Sequence, residues 1–186
     1  MHESIYEPFV EALVNFAKTL KVGPSEEEGV MLGPVQNEMQ YEKVKDIFED
    51  TQSKGYKFAL GGPVEPSAGF FIQPTIIDNP PEDSRIVQDE PFGPIVPCQK
   101  YSDIEEVISR ANNSRQGLGA TVFGTDIKKC QEIANRIESG SVWINNMPTP
   151  HPAGHFGGFK ESGLGTEFGT EGIKCYANVK AIHTYK

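Results

Sequence analysis

Two hydrophobic periods alternate along this chain, and that alternation limits the fold more than any other feature. Residues 7–20 place Phe9, Val10, Leu13, Val14, Phe16, Ala17 and Leu20 at helical spacing, with Pro8 suited to a first turn and Gly23-Pro24 as a stop. Asn37 can cap a second helix over about 38–54, with Met39, Val44, Ile47 and Phe48 on its apolar face and Gly55 ending it. A third helix is expected over 102–112, where Ser102 is the cap and Glu105 takes the capping-box position. A fourth opens at Asp126, turns Ile127, Cys130, Ile133, Ala134 and Ile137 inward, and stops at Gly140. Short apolar runs at 56–60, 70–77, 95–100, 118–123 and 141–145 lie between these segments and read as strands. Pro74 interrupts the second run, which predicts an edge position or a bulge there. Residues 24–33, with their acidic triplet, read as a solvated loop. Strands and helices joined by short connections make βαβ units. The expected class is α/β: an open, mostly parallel twisted sheet flanked by helices.

Charge narrows the range of partners. Twenty-six acidic against 17 basic residues give a net charge of −9, which repels phosphate backbones and anionic lipid headgroups. Nucleic acid and membrane are therefore not expected as partners. The apolar runs are far shorter than a membrane span, and the first residues have neither a basic segment nor an apolar one, so secretion is not expected. Three widely spaced cysteines point to a reducing, cytoplasmic setting.

One run between strands stands out chemically. Asp89-Glu90-Pro91-Phe92-Gly93-Pro94 joins a carboxylate, an aromatic ring and turn-forming residues, a combination suited to meeting a ligand. Residues 147–172 are rich in Gly and Pro but keep specific aromatics, as in Phe156-Gly157-Gly158-Phe159-Lys160-Glu161-Ser162-Gly163. A loop this long is expected to be ordered and functional.

Six segments in order resemble the aldehyde dehydrogenase superfamily. They are Gly33-Pro34 with Gln40 and Lys43 on the following helix, Gly61-Gly62, Gly69-Phe70-Phe71-Ile72-Gln73-Pro74-Thr75, Glu90-Pro91-Phe92-Gly93-Pro94, Gly140-Ser141-Val142-Trp143-Ile144-Asn145, and the Phe156–Gly163 run. The resemblance covers essentially the whole chain and implies the C-terminal half of that family. Residues 1–172 would be part of the catalytic domain, with 147–172 as its substrate loop, and 173–186 a C-terminal oligomerisation strand. It implies oxidation of an aldehyde to a carboxylic acid with NAD or NADP as acceptor. Glu90 would accept hydrogen bonds from the nicotinamide ribose, and one carboxylate can take both hydroxyls of a vicinal diol. Phe92 would back the nicotinamide ring. Gln40 and Lys43, three apart on one helix face, would approach the ribose and phosphate side. Phe156 would line the aldehyde tunnel. In the family the catalytic cysteine, the general-base glutamate and the Rossmann domain lie upstream of these segments.

No catalytic residue is assigned within the chain. Cys98, Cys130 and Cys175 lack a setting that lowers a thiol pKa and read as structural thiols. His151 and His155 have a spacing that can ligate zinc, but no second pair accompanies them, and no metal is expected. His155 stands where relatives usually have proline. Residues 177–185 alternate in the strand manner, which suits pairing with a neighbouring subunit and predicts a homo-oligomer. The chain by itself is expected to be inert toward aldehydes, with exposed apolar surface. Two alternatives are a free-standing, non-catalytic module that pairs with full-length subunits, and an unrelated sugar- or nucleotide-binding α/β domain.

Overall fold

The computed structural model describes residues 1–65 and 67–186, which divide into two compact units, 1–104 and 105–186. In the first unit a sheet of three strands is ordered β3-β4-β5, formed by Lys57–Leu60, Thr75–Asp78 and Ile95–Cys98. β4 pairs antiparallel with β3 and parallel with β5. A separate parallel pair joins β1 (Lys21–Val22) to β2 (Val30–Leu32).

Two helices cover the sheet from opposite sides, and β4 shows why. Ile76 packs with Tyr6, Val10 and Ala17 of α1 (Glu3–Ala17), whereas its neighbour Ile77 packs with Val44, Ile47 and Phe48 of α2 (Glu38–Ser53). Successive strand residues face opposite ways, so a strand buried on both sides reads as a continuous apolar run. Thr75, Ile76 and Ile77 are all buried. Pro74 therefore precedes a central strand instead of marking an edge: the strand begins after it, and the first ladder bond runs from Thr75 N–H to Pro94 O at 2.8 Å.

Helix α1 starts four residues earlier than its periodicity predicts. His2 caps it by accepting from Ser4 N–H through Nδ1 at 3.2 Å, and Pro8 lies inside the helix. A helix interior tolerates Pro8 at the loss of one hydrogen bond, near an end where few turns are interrupted. The apolar face of α2 also differs from expectation. Met39 is exposed, and Thr51 is buried beside Val44, Ile47 and Phe48. Asn37 does cap α2, its Oδ1 accepting from Gln40 N–H at 2.9 Å. Residues 24–33 are not all loop, since they supply β2.

A short helix, α3 (Arg85–Gln88), lies in the crossover between β4 and β5. α4 (Ile104–Asn112) spans the junction of the units along the chain. The second unit is a parallel pair, β6 (Gly119–Val122) and β7 (Ser141–Ile144), crossed over through α5 (Ile127–Ala134). Three of the four strand pairings among the described residues are parallel, and helices flank the sheets, as expected for the α/β class.

Backbone hydrogen bonds order the long Gly/Pro segment. Phe159 N–H donates to Gly117 O at 2.8 Å, Glu161 N–H to Arg115 O at 2.9 Å, and Gly117 N–H to Ser162 Oγ at 2.7 Å. A single 3-10 turn (Lys160–Ser162) and α6 (Gly169–Lys174) follow. Residues 177–186 form no strand within the chain, and Val179, Ile182 and Tyr185 are exposed.

Candidate functional site

The loop 89–94 enters β5 from its amino end, beside the amino end of β4. It thus lies opposite the carboxyl-end crevice that open α/β sheets generally use for ligands. What distinguishes it is the cost of its shape. Phe92 has φ +47°, a left-handed conformation that a bulky side chain seldom adopts, and the residue is 75% exposed. Strain of about 1–3 kcal/mol persists only where surrounding contacts over-determine it, typically at ligand sites.

Those contacts come mainly from α2. The Gln40 side-chain amide donates from Nε2 to the carbonyl of Pro91 at 2.7 Å. One residue beyond Phe92, Gly93 rests on Val44, so close that an added Cβ would stand 2.7 and 2.9 Å from the valine methyls. Two carboxylates share Arg85: Asp46 of α2 lies 2.9 Å from its Nη2 and Asp89 lies 3.4 Å from its Nε. The Asp46 hydrogen bond raises the guanidinium pKa further. Ion pairs this exposed contribute little energy individually, yet this one links helix to loop at a defined spacing.

Glu90 projects from the braced loop as an exposed carboxylate with no hydrogen bond or ion pair among the described residues. Lys43 is likewise exposed and without such a partner, one turn from Gln40 on α2. The structure thus brings Gln40, Glu90 and Phe92 to one loop and its supporting helix. Gln40 serves here to position the loop backbone. A nicotinamide cofactor fits these groups, because a free carboxylate and an open aromatic face are what a ribose diol and a flat ring require.

Phe156 belongs to the second unit. Its backbone pairs antiparallel with Glu167, N–H to O at 2.9 Å and O from N–H at 2.7 Å. Its half-buried ring meets Phe168 edge-on at 6.3 Å, and Phe168 itself holds φ +58°. Beyond this hairpin, Pro152, Ala153, Glu167, Phe168, Ile173 and Tyr176 line part of an open hollow of about 630 Å³. His151 and His155 each make a hydrogen bond within the chain. His151 Nδ1 accepts from Ala153 N–H at 3.2 Å, and His155 Nδ1 lies 2.9 Å from Thr166 Oγ1.

None of the cysteines is disulfide-bonded. Cys98 is buried at the end of β5, where desolvation pushes its thiol pKa up, the direction opposite to activation. Cys130 is buried on α5 and Cys175 is exposed after α6. The Asp46–Arg85–Asp89 brace is hidden in the sequence except for its second half, where Arg85 and Asp89 stand at i and i+4.

The aldehyde dehydrogenase family profile matches residues 1–182. The FUS7 protein of Gibberella moniliformis is 41% identical over 186 residues, all of this chain and 39% of its own length. The aldehyde dehydrogenase LUC3 of Fusarium sp is 40% identical over 188 aligned residues, covering 100% of this chain and 40% of the relative. Among solved structures, the NAD+ complex of an aldehyde dehydrogenase from Bacillus cereus superposes with a TM-score of 0.91 at 38% identity, covering 96% of this chain and 36% of the other. The chain spans about two fifths of the length of the curated relatives it matches. With a match across nearly its whole length, the chain belongs to the aldehyde dehydrogenase family.

Proposed function

We infer that these residues form part of the active site of an NAD(P)+-dependent aldehyde dehydrogenase, which oxidises an aldehyde to a carboxylic acid. One observation carries the reading. A loop held in a strained conformation presents an unpaired carboxylate at Glu90 and an open ring at Phe92, in a chain of this family. The bound cofactor would supply the hydride acceptor. Glu90 accepts hydrogen bonds from the nicotinamide ribose hydroxyls, and Phe92 limits the nicotinamide ring to one orientation. Gln40 holds the loop through Pro91, Lys43 offers a cation toward the phosphate side, and Phe156 lines the path of the aldehyde. An NAD+ complex of a 38% identical relative supports the cofactor class.

The 186 residues by themselves do not turn over aldehyde in this reading: burial pushes the Cys98 thiol up, away from activation, and Cys130 is buried on a helix. Three unpaired cysteines suit a reducing cytoplasm, and no helix among the described residues is long and apolar enough to cross a membrane. Homo-oligomerisation through the tail is supported by Val179 at 102%, Ile182 at 78% and Tyr185 at 91% exposure. The same tail would let the chain act as a non-catalytic module on longer subunits.

The test is a chimaera in which residues 1–186 replace the corresponding segment of the Bacillus cereus enzyme. Aldehyde-dependent NADH formation is expected, and Glu90→Gln should raise KM for NAD+ about tenfold, the worth of one charged hydrogen bond. An active chimaera whose KM for NAD+ is indifferent to that change would refute the assignment of Glu90. NADH formation by the unfused chain would refute its inertness.

A further inference from the structure

Thr166 Oγ1 has one proton and several neighbours. It lies 3.0 Å from Phe156 O, 2.9 Å from His155 Nδ1 and 3.4 Å from Glu167 O. A carbonyl oxygen can only accept, so a hydroxyl proton given to Phe156 O leaves Thr166 Oγ1 to accept from His155. In that arrangement His155 donates from Nδ1, the nearer ring nitrogen, with Nε2 at 3.5 Å from the same oxygen. The neutral ring is then the Nδ1–H tautomer.

We propose that His155 and Thr166 are positioning residues for Phe156: a relay from Nδ1–H through the Thr166 hydroxyl to the Phe156 carbonyl locks the Phe156–Glu167 hairpin and sets the ring against Phe168. Phe156 O already accepts from Glu167 N–H at 2.7 Å, so the hydroxyl fills its second lone pair. Phe168, directly after Glu167, carries a strained φ of +58°, and fixing the hairpin helps to hold that strain. Imidazolium also donates from Nδ1. Protonation of the ring therefore leaves the relay intact, whereas transfer of the neutral proton to Nε2 breaks it. Glu167 is the ionisable neighbour on the paired segment, and the relay uses only its backbone. The bearing of the relay on substrate rests on the reading of Phe156 given above, but the relay itself does not.

Nitrogen-15 NMR of the 186-residue chain tests the tautomer directly, with a protonated Nδ1 expected for His155. A neutral ring protonated on Nε2 would overturn the proposal. Amide hydrogen exchange at Phe156 and Glu167 tests the lock. His155→Phe and Thr166→Val should each lower protection about five- to tenfold, as expected for one net hydrogen bond. His155→Asn, which carries its donor N–H near the Nδ1 position, should restore protection to within about twofold. Unchanged protection in His155→Phe, or failure of His155→Asn to restore it, would show that ring bulk rather than the donated proton matters and would refute the relay. In the chimaera, Phe156→Ala with no change in aldehyde KM would remove the substrate reading while leaving these NMR results standing.

Discussion

The side-chain amide of Gln40 donates to the carbonyl of Pro91 at 2.7 Å, tying the first turn of α2 to the loop that carries Glu90 and Phe92. The bond crosses 51 positions of sequence and is partly shielded from water. Gln40→Ala should therefore cost about 1 kcal/mol of stability, measured by chemical denaturation. Its larger effect should fall on cofactor affinity, because a freed loop relaxes Phe92 out of its strained conformation. In the chimaera, Gln40→Ala should raise KM for NAD+ more than its loss of stability accounts for. Equal KM values in the two proteins would show that the loop holds its shape without this clamp.

Gly93 is fixed by contact with α2. A methyl group there would meet both Val44 methyls at 2.7 and 2.9 Å, and Val44 is fully buried with no room to retreat. Gly93→Ala should destabilise the first unit by about 1–3 kcal/mol, the usual cost of overpacking. Val44→Ala opens a cavity of its own, so the double variant should be more stable than the sum of the two single losses predicts. A strictly additive double variant in denaturation midpoints would show that the two side chains do not clash.

Much of the helix and strand order was legible because it rests on local signals. Asn37 before α2, Asp126 before α5, and the apolar run at 75–77 all carry their message within a few residues. The start of α1 was not legible, since histidine is an unusual cap and a proline six positions into the helix argued for a later start. β2 was hidden because its partner is a two-residue strand across an acidic turn, too short to show any period. At the candidate site, the motif marks out the loop that carries Glu90 and Phe92. The Gln40–Pro91 clamp, the Asp46–Arg85 pair and the His155–Thr166 contact depend on tertiary approach, which no spacing encodes.

Gly140 is held by the closest approach in the second unit. An added Cβ would lie 1.5 Å from the carbonyl oxygen of Gly157, a distance that forces two backbones apart. The segment 156–163 is docked on this part of the chain by backbone hydrogen bonds, so it cannot simply swing away. Gly140→Ala should cost about 3 kcal/mol or more. Trp143, the single tryptophan, lies on β7 three residues along and donates from Nε1 to Thr149 O at 3.2 Å, so its fluorescence reports on the same unit. An unchanged unfolding midpoint by tryptophan emission would contradict the close contact.

Tyr6 and Asp78 should govern how the first unit responds to pH. The Tyr6 hydroxyl, on a fully buried side chain, donates to Asp78 Oδ1 at 2.6 Å and lies 2.9 Å from Cys98 O, while Lys57 Nζ lies 2.6 Å from Asp78 Oδ2. Lys57 first, and then Tyr6, hold the Asp78 carboxyl below its ordinary range. A depressed folded-state pKa contributes stability above the unfolded value of about 3.9, and that stability is lost as pH falls through the folded value. For Tyr6, burial first and the Asp78 hydrogen bond second raise the phenol pKa, so its contribution is present below the unfolded value of about 10 and is lost as pH rises beyond it. Asp78→Asn keeps an acceptor for Tyr6 but removes the charge. It should flatten the acid limb of a plot of Tm against pH and weaken the Lys57 contact. Tyr6→Phe should lower stability by about 1–3 kcal/mol at neutral pH, because it removes a partly buried hydrogen bond to the Asp78 carboxylate, while Cys98 O keeps the Asn79 N–H at 2.7 Å. It should also shift the alkaline limb to higher pH, since the phenol no longer has to ionise on unfolding. An acid limb identical in Asp78→Asn and the parent would assign acid sensitivity to other carboxylates and remove this pair from the account.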